Sequence, residues 1–462
     1  MYKESFWKKY TLNKHNNIEV KNESLILLLV VVIIITAITT TQKIPINYGS
    51  TLTLVDVVLL AYLPMSIIIF FSLLTFDRKL FIEIAKSFVK GQKVVFQITT
   101  RGTNKSALRH SVESVLYWAP HYIDDWELWI VTEEDVDRSF FEDLAKLSPR
   151  IRIIYVPSDY KTPNNTKYKA RALHYASTLR KQEYGPYINR VWIYFLDEET
   201  VVGEDTIAGI AEFIKENGNT KFIGQGLIVY SNFWSHNLFT SLADSIRPTN
   251  DITKLRLQTR LGRIIFGIHG SHLLVRGDIE VNVGWDFGET RAEDTMFALT
   301  AWKLYGNIFS WLKGKAYEQS PFSIMDLLRQ RRRWIWGTID TILNSSTPTY
   351  WKLAQLTFLT CWLTALPFTI LMAAIFPSSL SLSPLTIPLL FFELSTLTTA
   401  YLVGLKLNLQ PLDKKSYTKY ALVQLFLLPV ILTVEILAPW YALLTFHKRR
   451  KVGFDVINKD PR

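Results

Sequence analysis

Three consecutive acids follow an apolar stretch near the middle of the chain. Residues 192–196 are apolar or aromatic, and Asp197, Glu198 and Glu199 come directly after them. Carboxylates at alternate positions, here Asp197 and Glu199, provide the hard oxygen ligands that Mg²⁺ and Mn²⁺ prefer. Such an ion can bridge the two phosphates of a nucleotide diphosphate. The simpler interpretation is a solvated turn after a strand, and the triplet alone does not decide between the two.

A second pair of acids, Glu293 and Asp294, stands at the start of a predicted helix. Acids are common in a first helical turn because they interact favourably with the helix dipole. A carboxylate fixed on a rigid helix can also accept the proton of a hydroxyl group, as a general base does. The pair is therefore a candidate for catalysis, with helix stabilisation as the alternative.

A cluster of arginines precedes a long apolar stretch. Residues 329–333 read Arg-Gln-Arg-Arg-Arg, so four of five consecutive positions are arginine, and Trp334 follows. A guanidinium group can bind phosphate oxygens through two parallel hydrogen bonds, and the indole of Trp334 could stack on a sugar. The alternative is a basic patch at a membrane surface.

The polar region that contains these residues begins with alternating strand and helix patterns. Strands are predicted over residues 94–99, 127–132, 151–156 and 191–196, with helices over 104–118 and 167–182. This alternation predicts an α/β fold with a Rossmann-like, mixed but mostly parallel sheet. Ligands of such sheets bind beyond the carboxyl ends of the strands, which is where the acid triplet lies.

Hydrophobic residues make up 48% of the 462-residue chain and charged residues 20%, a mixture that does not suit a pure membrane bundle. Hydrophobic and charged residues are separated along the chain, because apolar stretches flank a polar region. Each stretch is long enough, or nearly so, to cross roughly 30 Å of hydrocarbon. The five stretches are residues 25–41, 57–76, 353–376, 385–403 and 420–446.

These stretches divide the chain into three parts. Residues 1–76 form a cytosolic segment and two transmembrane helices, 77–350 a polar domain, and 351–462 transmembrane or interfacial helices with a basic tail. Lysines cluster before the first stretch and are few after it, which predicts a cytosolic amino terminus and a cytosolic polar domain in a multi-pass membrane protein. Pro429 and Pro439 are expected to interrupt the last stretch, which leaves the side of the tail open.

The net charge of +11 favours anionic partners such as nucleic acid, phospholipid or a pyrophosphate compound. Two acids, Glu393 and Glu435, lie inside apolar stretches, where a charge is costly. They either line a polar path for a substrate or form hydrogen bonds between the helices.

Taken in order, the acid triplet, Glu293-Asp294 and Gln330-x-x-Arg333-Trp334 resemble the D-x-D, E-D and Q-x-x-R-W elements of family 2 glycosyltransferases. Intervening segments resemble the egghead-type β-1,4-mannosyltransferases of that family. These segments are residues 168–173, 196–200, 224–230, 242–247, 254–258 and 317–322. The resemblance covers roughly residues 99–337, which is most of the polar domain.

The resemblance implies a GT-A fold inserted between transmembrane helices and a role for each matching residue. Asp294 would be the general base, with Glu293 beside it, and a Mg²⁺ or Mn²⁺ ion would bind Asp197 and Glu199. Trp334 would contact the acceptor. Apart from the resemblance, the spacing of His269 and His272 could suit a metal, but a loop near the acceptor is the role expected for His269. The donor would be bound by Thr100, Arg101, Glu133, Lys169, Asp197, Gln330, Arg333 and Trp334.

The implied reaction moves a hexose from a nucleotide-diphosphate sugar to a lipid-linked or glycolipid acceptor, inverting the configuration to give a β-glycoside. The resemblance favours mannose, and GDP-mannose over a UDP-sugar, with a membrane and no nucleic acid as partner. Glu133 stands where many family members carry an Asp-Asp or Asp-Gly-Ser element, so the preference for the nucleotide base stays open.

Three other functions compete with single-sugar transfer. A processive polysaccharide synthase needs enough spanning helices to line a channel, and five are few. A non-catalytic protein that binds anionic lipid would need neither Asp294 nor the acid triplet. A glycosidase built on paired carboxylates would have no use for the arginine cluster.

Overall fold

A mixed β-sheet lies at the centre of the computed structural model, which describes residues 7, 10–11, 54–76, 84, 87–232, 236–364, 386–409, 416–449 and 457. Within this part of the chain the sheet has eight strands, in the spatial order β3-β2-β1-β4-β7-β6-β8-β5. The strands are β1 (Val89–Thr99), β2 (Ile123–Glu133), β3 (Ile151–Val156), β4 (Val191–Leu196), β5 (Val201–Val202), β6 (Ile223–Asn232), β7 (Leu273–Arg276) and β8 (Phe309–Gln319).

The first four strands pair in parallel, as the alternating sequence pattern predicts. β7 runs antiparallel to both of its neighbours, β4 and β6. β6 and β8 pair in parallel, and β5 joins β8 antiparallel. The prediction of a mixed sheet is confirmed, and its parallel part is the half that carries the acid triplet.

Helices cover both faces of the sheet, so the central strands are apolar on both sides. All six residues of β4 are buried. In β1, Phe96 belongs to the core on one face, whereas its neighbour Val95 belongs to the core on the other. This alternation follows from the two-residue period of a strand.

The helices that precede residue 293 in the described part of the chain vary in length from 5 to 17 residues. They are α1 (Leu54–Leu59), α2 (Leu63–Leu74), α3 (Lys105–Trp118), α4 (Arg138–Ala145), α5 (Tyr168–Tyr184), α6 (Glu204–Asn217), α7 (Leu238–Ala243), α8 (Ile246–Asn250), α9 (Arg256–Leu261) and α10 (Gly277–Val283). A π-helical turn, Asp251–Leu255, joins α8 to α9. The remaining helices are α11 (Glu293–Tyr305), α12 (Ile324–Leu343), α13 (Thr349–Thr364), α14 (Thr386–Leu409) and α15 (Tyr417–Leu444).

Two of these helices are long and apolar enough to cross a membrane, namely α15 and the Pro388–Leu409 part of α14. The predicted stretch at 57–76 contains two separate short helices, α1 and α2. The stretch at 25–41 and the end of the one at 353–376 lie outside the described residues. Within the described part, a five-span, multi-pass arrangement is therefore not supported.

The last apolar stretch forms one uninterrupted helix of 28 residues, with Pro429 and Pro439 inside it. The prediction that these prolines interrupt the stretch is wrong. Proline removes a backbone hydrogen-bond donor and crowds the preceding turn. Neighbouring helices can hold such a helix together, because α15 packs against α12 and α14.

Buried polar contacts join the apolar helices to the sheet domain. Arg331 on α12 donates to Asp244 at 2.6 Å and to Glu435 on α15 at 2.8 Å. Trp336 on α12 donates its indole N–H to the carbonyl of Ala442 at 2.8 Å. Of the two interpretations left open for Glu435, a hydrogen bond between helices is the one observed.

Candidate active site

A cavity of about 760 Å³ opens beyond the carboxyl ends of β1, β2 and β4. Every residue that the sequence marks as a site residue lines it, although these residues are spread over most of the polar domain. They are Thr100, Arg101, Glu133, Lys169, Asp197, Glu199, His269, Glu293, Asp294, Gln330, Arg333 and Trp334. The fold therefore brings all of the predicted residues into one space.

The strand order gives this cavity a long axis. Glu133 ends β2, Thr100 follows β1, and Asp197 follows β4. Further along the sheet, Ile228 of β6 and Glu318 of β8 line the same cavity. Because adjacent strands lie about 4.8 Å apart, the β2 end and the β8 end are well separated, with Asp197 between them.

The acid triplet does not act as one unit. Asp197 accepts a hydrogen bond from the ammonium of Lys169 on α5, forming an ion pair inside the cavity. Glu198 instead accepts from the hydroxyl of Thr100 and the amide of Asn104. Burial and the neighbouring charge of Glu199 raise the pKa of Glu198 above its ordinary value. Asp197 and Glu198 thus have different partners, and Glu199 lines the cavity beside them.

Burial alone would lower the pKa of Lys169. Asp197 and Glu293 oppose this effect, so the pKa of Lys169 lies above its ordinary value. The lysine therefore remains a cation beside the acid triplet at neutral pH.

Asp197 and Glu199 suit a hard divalent cation, because both are carboxylates that line the cavity. Among the described residues no group of three or more His, Cys, Asp or Glu is arranged to hold a metal ion. Two carboxylates do not fill the coordination shell of such an ion, which would need further oxygens, for example from a bound ligand or water. A diphosphate offers such oxygens, so the residues present fit an ion that binds together with a nucleotide diphosphate.

The Glu293-Asp294 pair begins α11, as predicted, and both side chains line the cavity. Asp294 accepts a hydrogen bond from the backbone N–H of Thr295 at 2.6 Å. Burial and the charge of Glu293 raise the pKa of Asp294 to about 7. A carboxylate with a pKa near neutrality is well matched to general base catalysis.

Gly270 allows the loop before β7 to approach this acid closely. A Cβ atom at Gly270 would lie 3.3 Å from Nζ of Lys169 and 3.4 Å from Oδ2 of Asp294. The ammonium and the carboxylate therefore face the same point of the loop. The Lys169 charge lies close enough to lower the pKa of Asp294, against the larger effect of burial.

The arginine cluster on α12 separates into members with different partners. Gln330, Arg333 and Trp334 line the cavity, as expected for positions i, i+3 and i+4 of a helix. Arg331 is buried between Asp244 and Glu435, and buried Arg332 donates to the hydroxyl of Tyr441 at 2.8 Å. Because both side chains are buried, the alternative of a basic patch at a membrane surface does not describe these two arginines.

Trp334 already has cationic neighbours. The guanidinium carbon of Arg247 lies 4.5 Å from its ring centre, and that of Arg331 lies 4.6 Å from it. Both distances are within the range of a cation–π contact. A sugar at Trp334 would therefore meet a ring that these guanidinium groups hold in place.

Two residues at the β2 end of the cavity are paired with charges of opposite sign. Glu133 forms an ion pair with Arg171 of α5. Arg101 pairs with Asp135 at 3.0 Å, where both side chains are more than half exposed. The local charge at this end is therefore balanced, which suits a neutral group such as a nucleoside.

The sequence pattern also drew attention to His269 and His272, whose spacing could suit a metal. His269 lines the cavity and contacts Asp251 at 2.7 Å through Nε2. His272 is buried and contacts the hydroxyl of Tyr194 at 2.7 Å. Burial lowers the pKa of His272 to about 3. The two imidazoles have different partners, so they do not form one metal site.

Several cavity residues were not predicted. Arg247 and Asn250 come from α8 and Asp251 from the π-helical turn, while Glu318 comes from β8. None of the sequence motifs marks these residues, and the contact of Asp251 with His269 joins residues 18 positions apart. Ile457, near the carboxyl terminus, also lines the cavity, and its carbonyl accepts from the Asn104 amide at 3.2 Å.

The amino-acid sequence matches a known protein family and several of its members. A family model described as "Glycosyl transferase family group 2" matches residues 192–405. The chain is 34% identical over 323 residues to the β-1,4-mannosyltransferase bre-3 of Caenorhabditis elegans, which is 68% of each protein. It is 37% identical over 234 residues to the β-1,4-mannosyltransferase egh of Drosophila melanogaster, 49% of this chain and 50% of that protein.

Among solved structures, the mannosyltransferase PcManGT from Pyrobaculum calidifontis, in complex with GDP-Man and Mn²⁺, aligns with a TM-score of 0.47. That alignment covers 90% of this chain and 99% of the other, at 14% sequence identity.

Proposed function

Because the chain belongs to family 2 of the glycosyltransferases, in the egghead-like subgroup with bre-3 and egh, we propose that it transfers mannose from GDP-mannose to a lipid-borne sugar. The observation that carries the proposal is the shared cavity of Asp294, Lys169 and Asp197. It combines a base of suitable pKa with a cation beside the position expected for a diphosphate. The mannose assignment draws on the names of the relatives bre-3 and egh, both β-1,4-mannosyltransferases. The GDP-mannose assignment draws on the resemblance of the sequence segments to egghead-type enzymes.

In the proposed reaction the acceptor hydroxyl attacks the anomeric carbon from the side opposite the diphosphate. Asp294 takes the proton of that hydroxyl while the new carbon–oxygen bond forms. The anomeric carbon–oxygen bond to the diphosphate breaks, and GDP leaves with the electron pair. One displacement inverts the configuration, so an α-linked donor gives a β-glycoside.

The leaving diphosphate gains negative charge as its bond to the sugar breaks. Lys169, and Arg333 on α12, line the cavity where they can offset this charge. A divalent ion held by Asp197 and Glu199 would add Lewis-acid stabilisation of the same charge. Thr100, Arg101 and Glu133 lie at the β2 end of the cavity, where they are available to the nucleoside.

The apolar helices α14 and α15 would anchor the enzyme at the membrane that contains the acceptor. We place the cavity on the cytosolic side, following the distribution of lysines around the first apolar stretch. GDP-mannose would then reach the cavity from the cytosol.

A transfer assay tests the proposal directly. Detergent-purified protein is incubated with radiolabelled GDP-mannose or UDP-sugars together with glycolipid acceptors, and lipid-soluble label is measured. We expect transfer from GDP-mannose, with stronger inhibition by GDP than by UDP. Transfer from a UDP-sugar only, with tighter binding of UDP, would overturn the donor assignment. Products extended by many sugars would instead favour a processive synthase.

A further inference from the structure

We propose that the end of the cavity over β6 and β8 is a binding site for the terminal neutral hexose of a glycosyl lipid, recognised by Asn250, Arg247 and His269. This inference rests on the proposed function and specifies its acceptor site. None of the sequence motifs includes Asn250 or Asp251, and neither residue belongs to the predicted donor site.

Two residues that line this end of the cavity carry polar atoms without a hydrogen-bond partner. Among the described residues, Oδ1 of Asn250 and Nη1 of Arg247 are buried without a hydrogen-bond partner. The nearest ion contact of Arg247 Nη1 is Asp244 Oδ2 at 4.0 Å, which is too long for a hydrogen bond. Buried polar groups are normally paired. One acceptor and one donor on the same helix, both from residues that line the cavity, are therefore unpaired.

The Arg247 side chain is held in place by aromatic rings. Its guanidinium carbon lies 3.9 Å from the ring centre of Tyr230 and 4.5 Å from that of Trp334. Cation–π contacts of this kind fix the plane of a guanidinium group. Arg247 therefore presents a directed hydrogen-bond donor and also links this end of the cavity to the Gln330-x-x-Arg333-Trp334 segment.

His269 is oriented by Asp251. Oδ1 of Asp251 contacts Nε2 of His269 at 2.7 Å, and Oδ2 accepts from the backbone N–H of Ile228 at 3.0 Å. The backbone N–H of His269 donates to Gln225 at 2.8 Å. With Nε2 engaged, Nδ1 is the ring nitrogen through which the imidazole can bind a ligand.

Asp251 belongs to the π-helical turn, a distortion that is frequent at functional sites. Burial opposes protonation of His269, but Asp251 raises the pKa of the imidazole above its ordinary value. An oriented imidazole, an arginine and an amide oxygen together suit the adjacent hydroxyl groups of a neutral sugar.

The position of α8 indicates how the acceptor arrives. Thr249, next to Asn250, donates its hydroxyl to the carbonyl of Ala400 on α14 at 2.6 Å. Gly404 lies one turn further along α14, and a Cβ there would overlap the backbone oxygen of Ser245. The helix that carries Arg247 and Asn250 therefore packs directly on an apolar helix long enough to cross a membrane. A sugar attached to a lipid reaches this end first.

The test separates acceptor binding from donor binding in Asn250→Ala, with Asn282→Ala as the matched control. Asn282 is exposed and does not line the cavity. We expect Asn250→Ala to raise the KM for a hexosyl lipid about tenfold, as the loss of one hydrogen bond would. The KM for GDP-mannose and the Kd for GDP should stay within about twofold of the unsubstituted protein, which also reports folding.

Asp251→Asn is the second variant, since its effect passes through His269. It should raise the acceptor KM while GDP binding is retained, whereas a purely structural loss would weaken both. A short-chain soluble glycoside of the same hexose should show a higher KM than the lipid in every variant.

The outcomes distinguish this site from the proposed function. If the unsubstituted protein transfers mannose but both variants keep its acceptor KM, the acceptor site is wrong and the function stands. An equal change in donor and acceptor KM also overturns the site. If the unsubstituted protein transfers mannose to no acceptor, the function and this site fail together.

Discussion

The ammonium of Lys169 forms an ion pair with Asp197 in the cavity, and its side chain is 16% exposed. This contact joins α5 to the end of β4, the strand at the middle of the cavity. The same ammonium lowers the pKa of Asp294. Lys169 therefore links the acid proposed to hold a metal ion with the acid proposed as the base.

Replacing Lys169 by methionine should weaken donor binding, because the leaving diphosphate loses a cation and Asp197 loses its partner. Hydrogen bonds to charged groups contribute about 1.5–3 kcal/mol, so we expect the Kd for GDP-mannose to rise about 10- to 100-fold. Isothermal titration measures this change. Lys169→Arg should recover part of the affinity, and an unchanged Kd in Lys169→Met would exclude the lysine from donor binding.

The rate of transfer should depend on a divalent metal ion, and the concentration of metal that is needed should depend on Glu199 but not on Glu198. Excess chelator should abolish transfer, and Mn²⁺ or Mg²⁺ should restore it. Glu199→Gln should raise the metal concentration needed for half-maximal rate. Glu198→Gln is the matched control, since Glu198 is engaged by Thr100 and Asn104 and its variant should need no additional metal. Full activity in excess chelator would rule out the ion.

The rate should depend on the titration of Asp294. Burial and Glu293 raise its pKa to about 7, while Lys169 and His269 act in the opposite direction. The carboxyl group is protonated below this pH and cannot accept a proton, so kcat should fall as the pH drops through about 7. Single-turnover rates across pH 5–9 measure the profile. A rate that stays constant between about pH 5 and 7 would contradict the role of this group.

Replacing Arg331 should mainly reduce stability, whereas replacing Arg333 should mainly reduce donor binding. Arg331→Ala leaves Asp244 and Glu435 buried without their cation, and breaking such a pair costs about 3–5 kcal/mol. Arg333→Ala should instead weaken GDP-mannose binding with a small change in thermal stability. Thermal unfolding in detergent and donor titration of both variants test this difference. Equal loss of stability in the two variants would contradict the separate roles.

The sequence predicted the parallel half of the sheet more closely than the rest. β3 and β4 have the predicted bounds, whereas β1 and β2 begin earlier. The first residues of β1 include Lys90 and Gly91, which the apolar pattern could not assign to a strand. β7 and β8 lie beyond the alternating pattern, and their pairing depends on contacts distant in sequence.

Many of the predicted site residues meet in the cavity because they occupy strand ends and helix starts, whereas Gln330, Arg333 and Trp334 reach it from within α12. Asn250 and Asp251 escaped prediction because α8 is short and the π-helical turn has no periodic pattern. The contact between Asp251 and His269 arises only when the π-helical turn packs beside the loop before β7. Site residues of this kind can be identified only from the tertiary structure.

The variant Asp294→Asn tests the central claim most directly. The amide keeps the size of the side chain but cannot accept the proton of the acceptor hydroxyl. Asp143→Asn, a change at an exposed aspartate outside the cavity, serves as the control. General base catalysis typically contributes about 10²- to 10⁴-fold.

The decisive measurement is the single-turnover rate of mannose transfer by folded Asp294→Asn, together with its affinity for GDP-mannose. We predict that the rate falls at least about 100-fold, while the donor Kd stays within a few-fold of the unsubstituted protein. A single-turnover rate within a few-fold of the unsubstituted protein would remove Asp294 from the mechanism.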